Sequence, residues 1–461
     1  MELVFLDRKD EVRRLVRAFS GREGAFCCLY GRRRCGKSRL LLRALPPKRS
    51  AYYVADESEP ALQRVALSRC LARMAPGFEK VTYPDWGSLL DRWHNDARPG
   101  SVLAVDEFPY LAAGSPELPS LFQKAVDRGK GKGLHFALCG SSQRMMQGLV
   151  LDAAAPLYGR AREILHVKPL PAGWLPEAMN IRRAIDALAA YAVWGGVPRY
   201  WELARGFPST LAAAGDLVLD PKGVLYSEPR RLLLDDIRDA AQAASILALI
   251  GQGCRRLSEI ASRLEKPSTS LSRPLQRLME LGFVTREYPF GMSDKDTKRT
   301  VYRIADPFLL FWFRYVQPNR SRLESGEIQN VQKEVEDGLT RHVGGVWEDL
   351  VRAAVPRLRV ANQAWTCPAR WWGADTEGKP MECDVLARSL DGTSLLVGEA
   401  KVNASARDVA AAFDGLERKA RRLPFAGTFE RIVPVVFVAG GHRGDSLGAC
   451  LTAEDVFAVL K

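Results

Sequence analysis

The chain has 461 residues, 47% of them hydrophobic and 26% charged, the balance of a folded protein and not of a disordered one. That length exceeds one ordinary core, so roughly two to four domains are expected. A net charge of +13 and a pI near 9.4 favour a polyanionic partner, most often nucleic acid, over the plain alternative of a basic surface with no dedicated partner.

Met1-Glu2-Leu3-Val4 has no basic-then-apolar signal region, and no apolar run approaches the ~18 residues of a membrane span. Nine cysteines occur without a C-x-x-C pair, so the expectation is a cytoplasmic protein with reduced thiols and no membrane partner. Five scattered histidines give no zinc-ligand spacing. Residues 5–11 lead into Val12–Phe19, whose apolar positions 12, 15, 16 and 19 predict an amphipathic helix.

Ala25–Tyr30 is an apolar run short enough for a buried strand, and Arg39–Leu45 reads as a helix stopped by Pro46-Pro47. Between them lies Gly31-Arg32-Arg33-Arg34-Cys35-Gly36-Lys37-Ser38. This is G-x-x-x-x-G-K-[ST], the phosphate loop of P-loop NTPases, in the strand-to-helix context that it needs. The glycines let backbone N–H groups turn onto phosphate oxygens, and the positive end of the helix adds to the field. Lys37 is expected to reach the β- and γ-phosphates of ATP, and Ser38 to ligate Mg2+. Arg32, Arg33, Arg34, Cys35 and Arg39 complete the expected nucleotide-binding set.

Strand-type segments recur at 51–54, 101–105, 135–139 and 163–167, with helical stretches between the first four strands. This alternation predicts a parallel sheet covered on both faces. The strand at 101–105 runs into Asp106-Glu107. Asp106 is expected to hold Mg2+ through water, and Glu107 to orient or activate the attacking water; the plain reading is a strand-end cap. After 135–139 comes Gly140-Ser141-Ser142, where Ser141 is expected to sense the γ-phosphate or merely to cap a helix. Arg160, in Tyr158-Gly159-Arg160-Ala161-Arg162, is a candidate arginine finger acting within the chain or on a neighbour, which would require a homo-oligomer. The competing reading is a surface Arg pair.

Residues 173–235 read as helical and lid-like, with Gly195-Gly196-Val197-Pro198-Arg199 breaking the run. Three helices over 239–282 and a hairpin from 283–288 and 300–304 predict a winged helix-turn-helix. Arg273 and Arg277 on the third helix, with Lys295, Lys298 and Arg299 on the wing, are the expected DNA contacts; packing against protein is the alternative. Residues 306–315 are densely aromatic and read as core. Residues 316–336, polar and helix-prone, read as a linker.

In the last segment Asp391-Gly392 is a two-residue turn signal between apolar runs. Leu390 would then pair with Thr393, and Asp384 would lie opposite Glu399, with Lys401 on the same face. Facing carboxylates are destabilising unless a positive charge lies between them. A divalent cation would supply that charge, and hard oxygen ligands with room for water suit Mg2+. Metal-activated water beside a phosphodiester is hydrolytic chemistry. The plain alternative is a surface hairpin of alternating charges.

Both ends resemble known groups. The N-terminal half looks like the archaeal-type ATPases of the AAA/STAND side of P-loop NTPases. The marks are Phe5-x-x-Arg8-x-x-Glu11, the loop at 31–38, Asp106-Glu107, Gly140-Ser141-Ser142, Tyr158-Gly159-Arg160 and Gly195-Gly196-Val197-Pro198-Arg199-Tyr200. From Tyr302-Arg303-Ile304-Ala305-Asp306-Pro307-Phe308 onward the chain resembles the DUF234 domain usually fused to these ATPases. Within it, Asp384 with Glu399-Ala400-Lys401 is similar to the PD-(D/E)XK nuclease core. That resemblance implies Glu348 as a further acidic member of a nuclease site, while Cys383 stands where the motif carries Pro.

The expectation is therefore an α/β multidomain protein: a P-loop ATPase core with a parallel sheet (1–172), a helical lid (173–238), a winged helix-turn-helix (239–315), a linker (316–336) and a restriction-endonuclease-like α/β domain (337–461). Its expected activity is ATP hydrolysis whose nucleotide state regulates binding or Mg2+-dependent cleavage of duplex or branched DNA. The alternative is a nucleotide-switched DNA-binding or signalling ATPase with an inactive nuclease fold.

Overall fold

The structure is a computed structural model, and it describes residues 3–237, 239–292, 299–441 and 449–461. The chain divides into two compact units. One comprises Asp7–Pro169 with Leu234–Arg238, and the other Met1–Leu6, Leu170–Leu233 and Asp239–Lys461. Among the described residues no helix is long and apolar enough to cross a membrane.

The first unit is built on five strands: β1 (Phe26–Tyr30), β2 (Ser50–Val54), β3 (Val102–Asp106), β4 (His135–Gly140) and β5 (Ala161–His166). They pair in parallel in the order β2-β3-β4-β1-β5. β3 and β4 are buried along their whole length, which is why they read as unbroken apolar runs: helices cover both faces. Edge strand β5 alternates in burial. Trp86, Trp93, Phe108, Phe122 and Phe136 fill the core on one face. The register sets Tyr30 beside Gly140, and β3 and β4 run in step as far as Val105 beside Leu138. Gly31, Glu107 and Ser141 therefore leave the sheet along one edge. The helix Lys9–Phe19 turns Leu15, Ala18 and Phe19 inward, whereas Val16, expected on that face, is exposed.

The second unit has short helices from Leu175 onward, up to its break at Leu233. Helices Ala240–Gly251, Leu257–Arg263 and Ser268–Glu280 follow, then antiparallel β6 (Val284–Glu287) and β7 (Val301–Ile304), completing the expected winged helix-turn-helix. Phe308, Leu309, Phe311, Trp312 and Phe313 are buried, as a core assignment requires. The linker expected at 316–336 does not exist. A 27-residue helix, Ile328–Ala354, runs straight through the boundary placed at 337. It buries Val331 and Val335 as well as Trp347 and Val351, so its apolar stripe is sparse at the start but continuous.

The C-terminal sheet comprises β8 (Ala369–Ala374), β9 (Pro380–Arg388), β10 (Ser394–Ala404), β11 (Arg431–Gly441) and β12 (Ala449–Thr452), in the order β12-β11-β10-β9-β8. β8, β9 and β10 are antiparallel, β10 and β11 are parallel across the helix Ala406–Arg421, and β12 lies parallel to β11. Leu395 pairs with Arg388 and Gly398 with Val385, the register expected from the turn. The loop itself is longer. Ser389 N–H donates to the Ser394 carbonyl, and the Asp391 carboxylate gathers Ser389 Oγ, Thr393 N and Thr393 Oγ1.

Candidate functional site

The phosphate loop closes around Lys37. This side chain is buried, and its Nζ donates to the carbonyls of Gly31 (2.9 Å) and Arg32 (3.0 Å). Gly31 has φ +143, and a Cβ there would collide with the carbonyl oxygen of Val167. Gly36 has φ +86 and caps the helix Lys37–Ala44 with no side-chain hydrogen bond. A Cβ at Gly36 would meet nothing within 4 Å, so the mouth of the loop is open in front of a helix N-terminus whose first N–H groups have no intrahelical acceptor. Arg32 and Cys35 are buried, Arg33, Arg34 and Arg39 half-buried, and Ser38 exposed.

Asp106 ends β3, 1% exposed. It accepts from Tyr52 Oη (2.6 Å) and from its neighbour's N–H, Glu107 N (2.9 Å). The Tyr52 hydroxyl reaches Ser38 as well, and burial together with the Asp106 hydrogen bond pushes its pKa up. Ser38 and Asp106 thus converge on one point. A buried carboxylate and an exposed hydroxyl with room for water form the hard-oxygen donor set that Mg2+ takes, so the residues fit the ion.

Glu107 adopts the left-handed region at φ 50. Its carboxylate accepts from Ser141 Oγ (2.6 Å) and Ser141 N (3.1 Å). Arg33 donates to Tyr110 Oη (2.6 Å) and pairs with Asp235 (3.1 Å). Burial opposes its charge, but Asp235 and Tyr110 outweigh that and raise its pKa. Ser142 Oγ donates to Asp236 (3.2 Å), which also accepts from Arg144 N. A cavity of about 400 Å³ beside the loop is lined by Arg33, Glu107, Tyr110, Ser141 and Asp235. Tyr52, Tyr110, Asp235 and Asp236 were not legible in the sequence, because none belongs to a spaced motif.

Arg160 is a correction. It precedes β5, whose first residue pairs with Phe26 at the start of β1, so it lies at the edge of the sheet opposite the loop. There Asp127 holds it through two 3.0 Å contacts. Within its own chain it is not part of the nucleotide site.

On the helix Ser268–Glu280, Leu271, Leu275 and Leu278 face inward, while Ser268, Thr269, Ser272, Arg273 and Gln276 are exposed. Arg273, an expected DNA contact, is exposed. Arg277 pairs with Glu280 at 3.2 Å, so its charge is met within the helix. Lys295 and Lys298 lie outside the described residues. Arg299 is beside Gly373 of β8, and the described part of the wing is docked. Phe290 N donates to the Arg370 carbonyl (2.7 Å), and buried Arg303 joins Glu287 of the wing to Asp349 (2.9 Å each).

The C-terminal acidic residues do gather, but not as a facing pair with a vacancy for metal. The β9–β10 ladder stops at Gly398 and Val385, and the Asp384 carboxylate instead accepts from Ala400 N (3.3 Å). Glu399 is met by Lys401 Nζ at 2.5 Å and Lys419 Nζ at 3.4 Å. Burial pushes its carboxyl up, and the two lysines outweigh burial and hold it low. The positive charge that facing carboxylates require is therefore supplied by lysines, and Lys419, from the helix Ala406–Arg421, was not anticipated. Glu348 is raised by burial and then by Asp384. Among the described residues no group of three or more His, Cys, Asp or Glu could hold a metal ion, and Lys401 and Lys419 stand where the expected Mg2+ would meet Glu399.

Three family models match parts of the chain. Residues 5–202 match the family described as an ATPase domain predominantly from Archaea. Residues 240–287 match the IclR helix-turn-helix domain. Residues 312–412 match DUF234, described as archaeal and bacterial proteins of unknown function. An uncharacterized protein of Methanocaldococcus jannaschii is 28% identical over 426 residues, spanning 91% of this chain and 92% of its own. A Walker-type ATPase of Pyrococcus abyssi superposes with a TM-score of 0.53 at 20% identity, over 67% of this chain and 96% of that one; at that identity the likeness speaks for fold.

Proposed function

We propose that this chain, which carries an archaeal-type ATPase domain, an IclR-type helix-turn-helix and a DUF234 domain, binds and hydrolyses ATP and binds duplex DNA, with nucleotide state governing DNA engagement. The observation that carries the reading is the convergence of Lys37, Ser38, Asp106 and Glu107 along one edge of a parallel sheet. The loop N–H groups and Lys37 bind and orient the β- and γ-phosphates. Ser38 and Asp106 would hold Mg2+, which neutralises charge on the phosphate oxygens. Glu107 aligns the attacking water and takes up its proton, once Ser141 releases the carboxylate. The exposed polar face around Arg273 enters the major groove. Turnover of ATP tests the first half: Lys37→Ala is expected to abolish it, and turnover at the wild-type rate would refute the assignment.

A second reading adds DNA cleavage at Glu348, Asp384, Glu399 and Lys401. What favours it is the Glu348 carboxyl, paired with Arg352 and Arg370 and lifted by burial and by nearby Asp384. Against it stands Glu399, whose charge two lysines already meet, and this supports a DNA-holding domain with no cleavage. Plasmid, linear and branched DNA incubated with Mg2+ or Mn2+, beside Lys401→Ala, separates the two. Intact DNA in every lane supports holding, and cutting lost in Lys401→Ala supports cleavage.

A further inference from the structure

Between the wing and the C-terminal sheet lies a cavity of about 540 Å³ whose walls carry Arg286, Arg352, Arg370 and Arg388 against one carboxylate, Glu287. Arg352 is satisfied: it donates to the Asp384 carbonyl (2.9 Å) and pairs with Asp349. Arg286 and Arg388 are not. Arg286 stacks over Tyr288, 5.0 Å from the ring centre, and its Nε is buried without a hydrogen-bond partner. Arg388 is exposed, lies over Phe429 and forms no ion pair among the described residues. Arg370 is 16% exposed at its side chain and stands 3.7–3.9 Å from Glu287, Glu348 and Glu382, with no carboxylate inside hydrogen-bond range. Two guanidinium groups left without a carboxylate, Arg286 and Arg388, call for an anion, and Tyr288 with Phe290 adds ring faces to the same wall.

We propose that this cavity takes a nucleotide of a single DNA strand, its phosphate held by Arg286 and Arg388 and its base laid on Tyr288. The space is far too small for a duplex, whereas arginine with aromatic faces is the recurring arrangement for single strands. Arg352 and Arg370 also reach toward Asp384 and Glu348, so a strand seated here leads to the acidic edge of the sheet. The inference rests on the reading of this chain as a DNA-binding protein and gives it a substrate class: duplex with an unpaired end or flap.

The test is fluorescence anisotropy on the full chain with two probes, a blunt duplex and the same duplex bearing a single-stranded overhang. Wild type is expected to bind the overhang probe about 10-fold more tightly. Arg286→Ala and Arg388→Glu are each expected to erase that preference and leave blunt-duplex affinity unchanged. The salt dependence on the overhang probe should flatten by about 0.7 per lost phosphate contact. Arg388 is exposed, so its substitution leaves folding intact, which thermal unfolding verifies. Equal affinity of wild type for both probes overturns the proposal, as does an undiminished preference in both variants or an equal loss on both probes. Failure of wild type to bind blunt duplex would instead strike the recognition-helix reading, and binding of the overhang probe alone would still support the cavity.

Discussion

Glu107 holds a backbone conformation that costs a non-glycine residue about 1–2 kcal/mol, at φ 50. Two hydrogen bonds from Ser141 to its carboxylate offset that cost. Strain kept at a strand end, beside a phosphate loop, points to a side chain aimed for use. Glu107→Gln is expected to retain ATP binding, measured by fluorescent-nucleotide titration, and to lower turnover about 10²- to 10⁴-fold. Unchanged turnover would remove Glu107 from the chemistry. Gly31→Ala tests the loop by another route. Its Cβ would strike the Val167 carbonyl, which belongs to backbone and cannot yield cheaply, so both melting temperature and nucleotide affinity are expected to fall. Gly36→Ala has open space around it and is expected to leave melting nearly unchanged, with only the strain of φ +86, yet to weaken nucleotide binding because its methyl intrudes on the cradle.

The long helix Ile328–Ala354 is tied to the helix Ala184–Trp194 by His342. Its Nε2 lies 2.8 Å from the Ala192 carbonyl and its Nδ1 3.2 Å from Arg314 Nη1. Only the neutral ring protonated at Nε2 satisfies both, donating to the carbonyl and accepting from the guanidinium. Burial, with Arg314 nearby, pushes its pKa from 6.5 down to about 4. Between those values the unfolded chain binds a proton that the folded chain refuses, so stability falls as pH drops through this window. The loss approaches about 3 kcal/mol at about 1.4 kcal/mol per pH unit. Denaturant midpoints measured across that window should decline more steeply for wild type than for His342→Gln; parallel slopes would contradict the assignment. This helix also shows what the sequence concealed. Its first half has few apolar residues, so 316–336 reads as a linker, and only packing against distant segments reveals Val331 and Val335 as core. The phosphate loop, the strand-end Asp106 and the β9–β10 register were legible because short-range spacing dictates them. Arg160 was misplaced within the chain because a motif ahead of a strand does not say which edge of the sheet it occupies. Lys419, a second cation at Glu399, arrives from a helix that spacing cannot connect to β10.

At the scale of the whole chain, Asp235 and Asp236 sit against Arg33, Ser142 and Arg144 in the ATPase unit and lie just ahead of the helix Ala240–Gly251 that opens the winged domain. A polyphosphate in the loop would compete with Asp235 for Arg33. Arg33→Ala is expected to change the ratio of DNA affinities measured with and without ATP, because binding linkage is reciprocal; an unaltered ratio would remove this segment from the coupling. The most direct test of the central claim, that one chain couples ATP turnover to duplex DNA, is the ATPase rate measured across a titration of blunt duplex DNA for wild type, Lys37→Ala and Arg273→Ala. The account predicts a wild-type rate that changes severalfold at saturation, about a 10-fold higher DNA requirement for Arg273→Ala, and no turnover for Lys37→Ala. A wild-type rate indifferent to DNA at every concentration would contradict it.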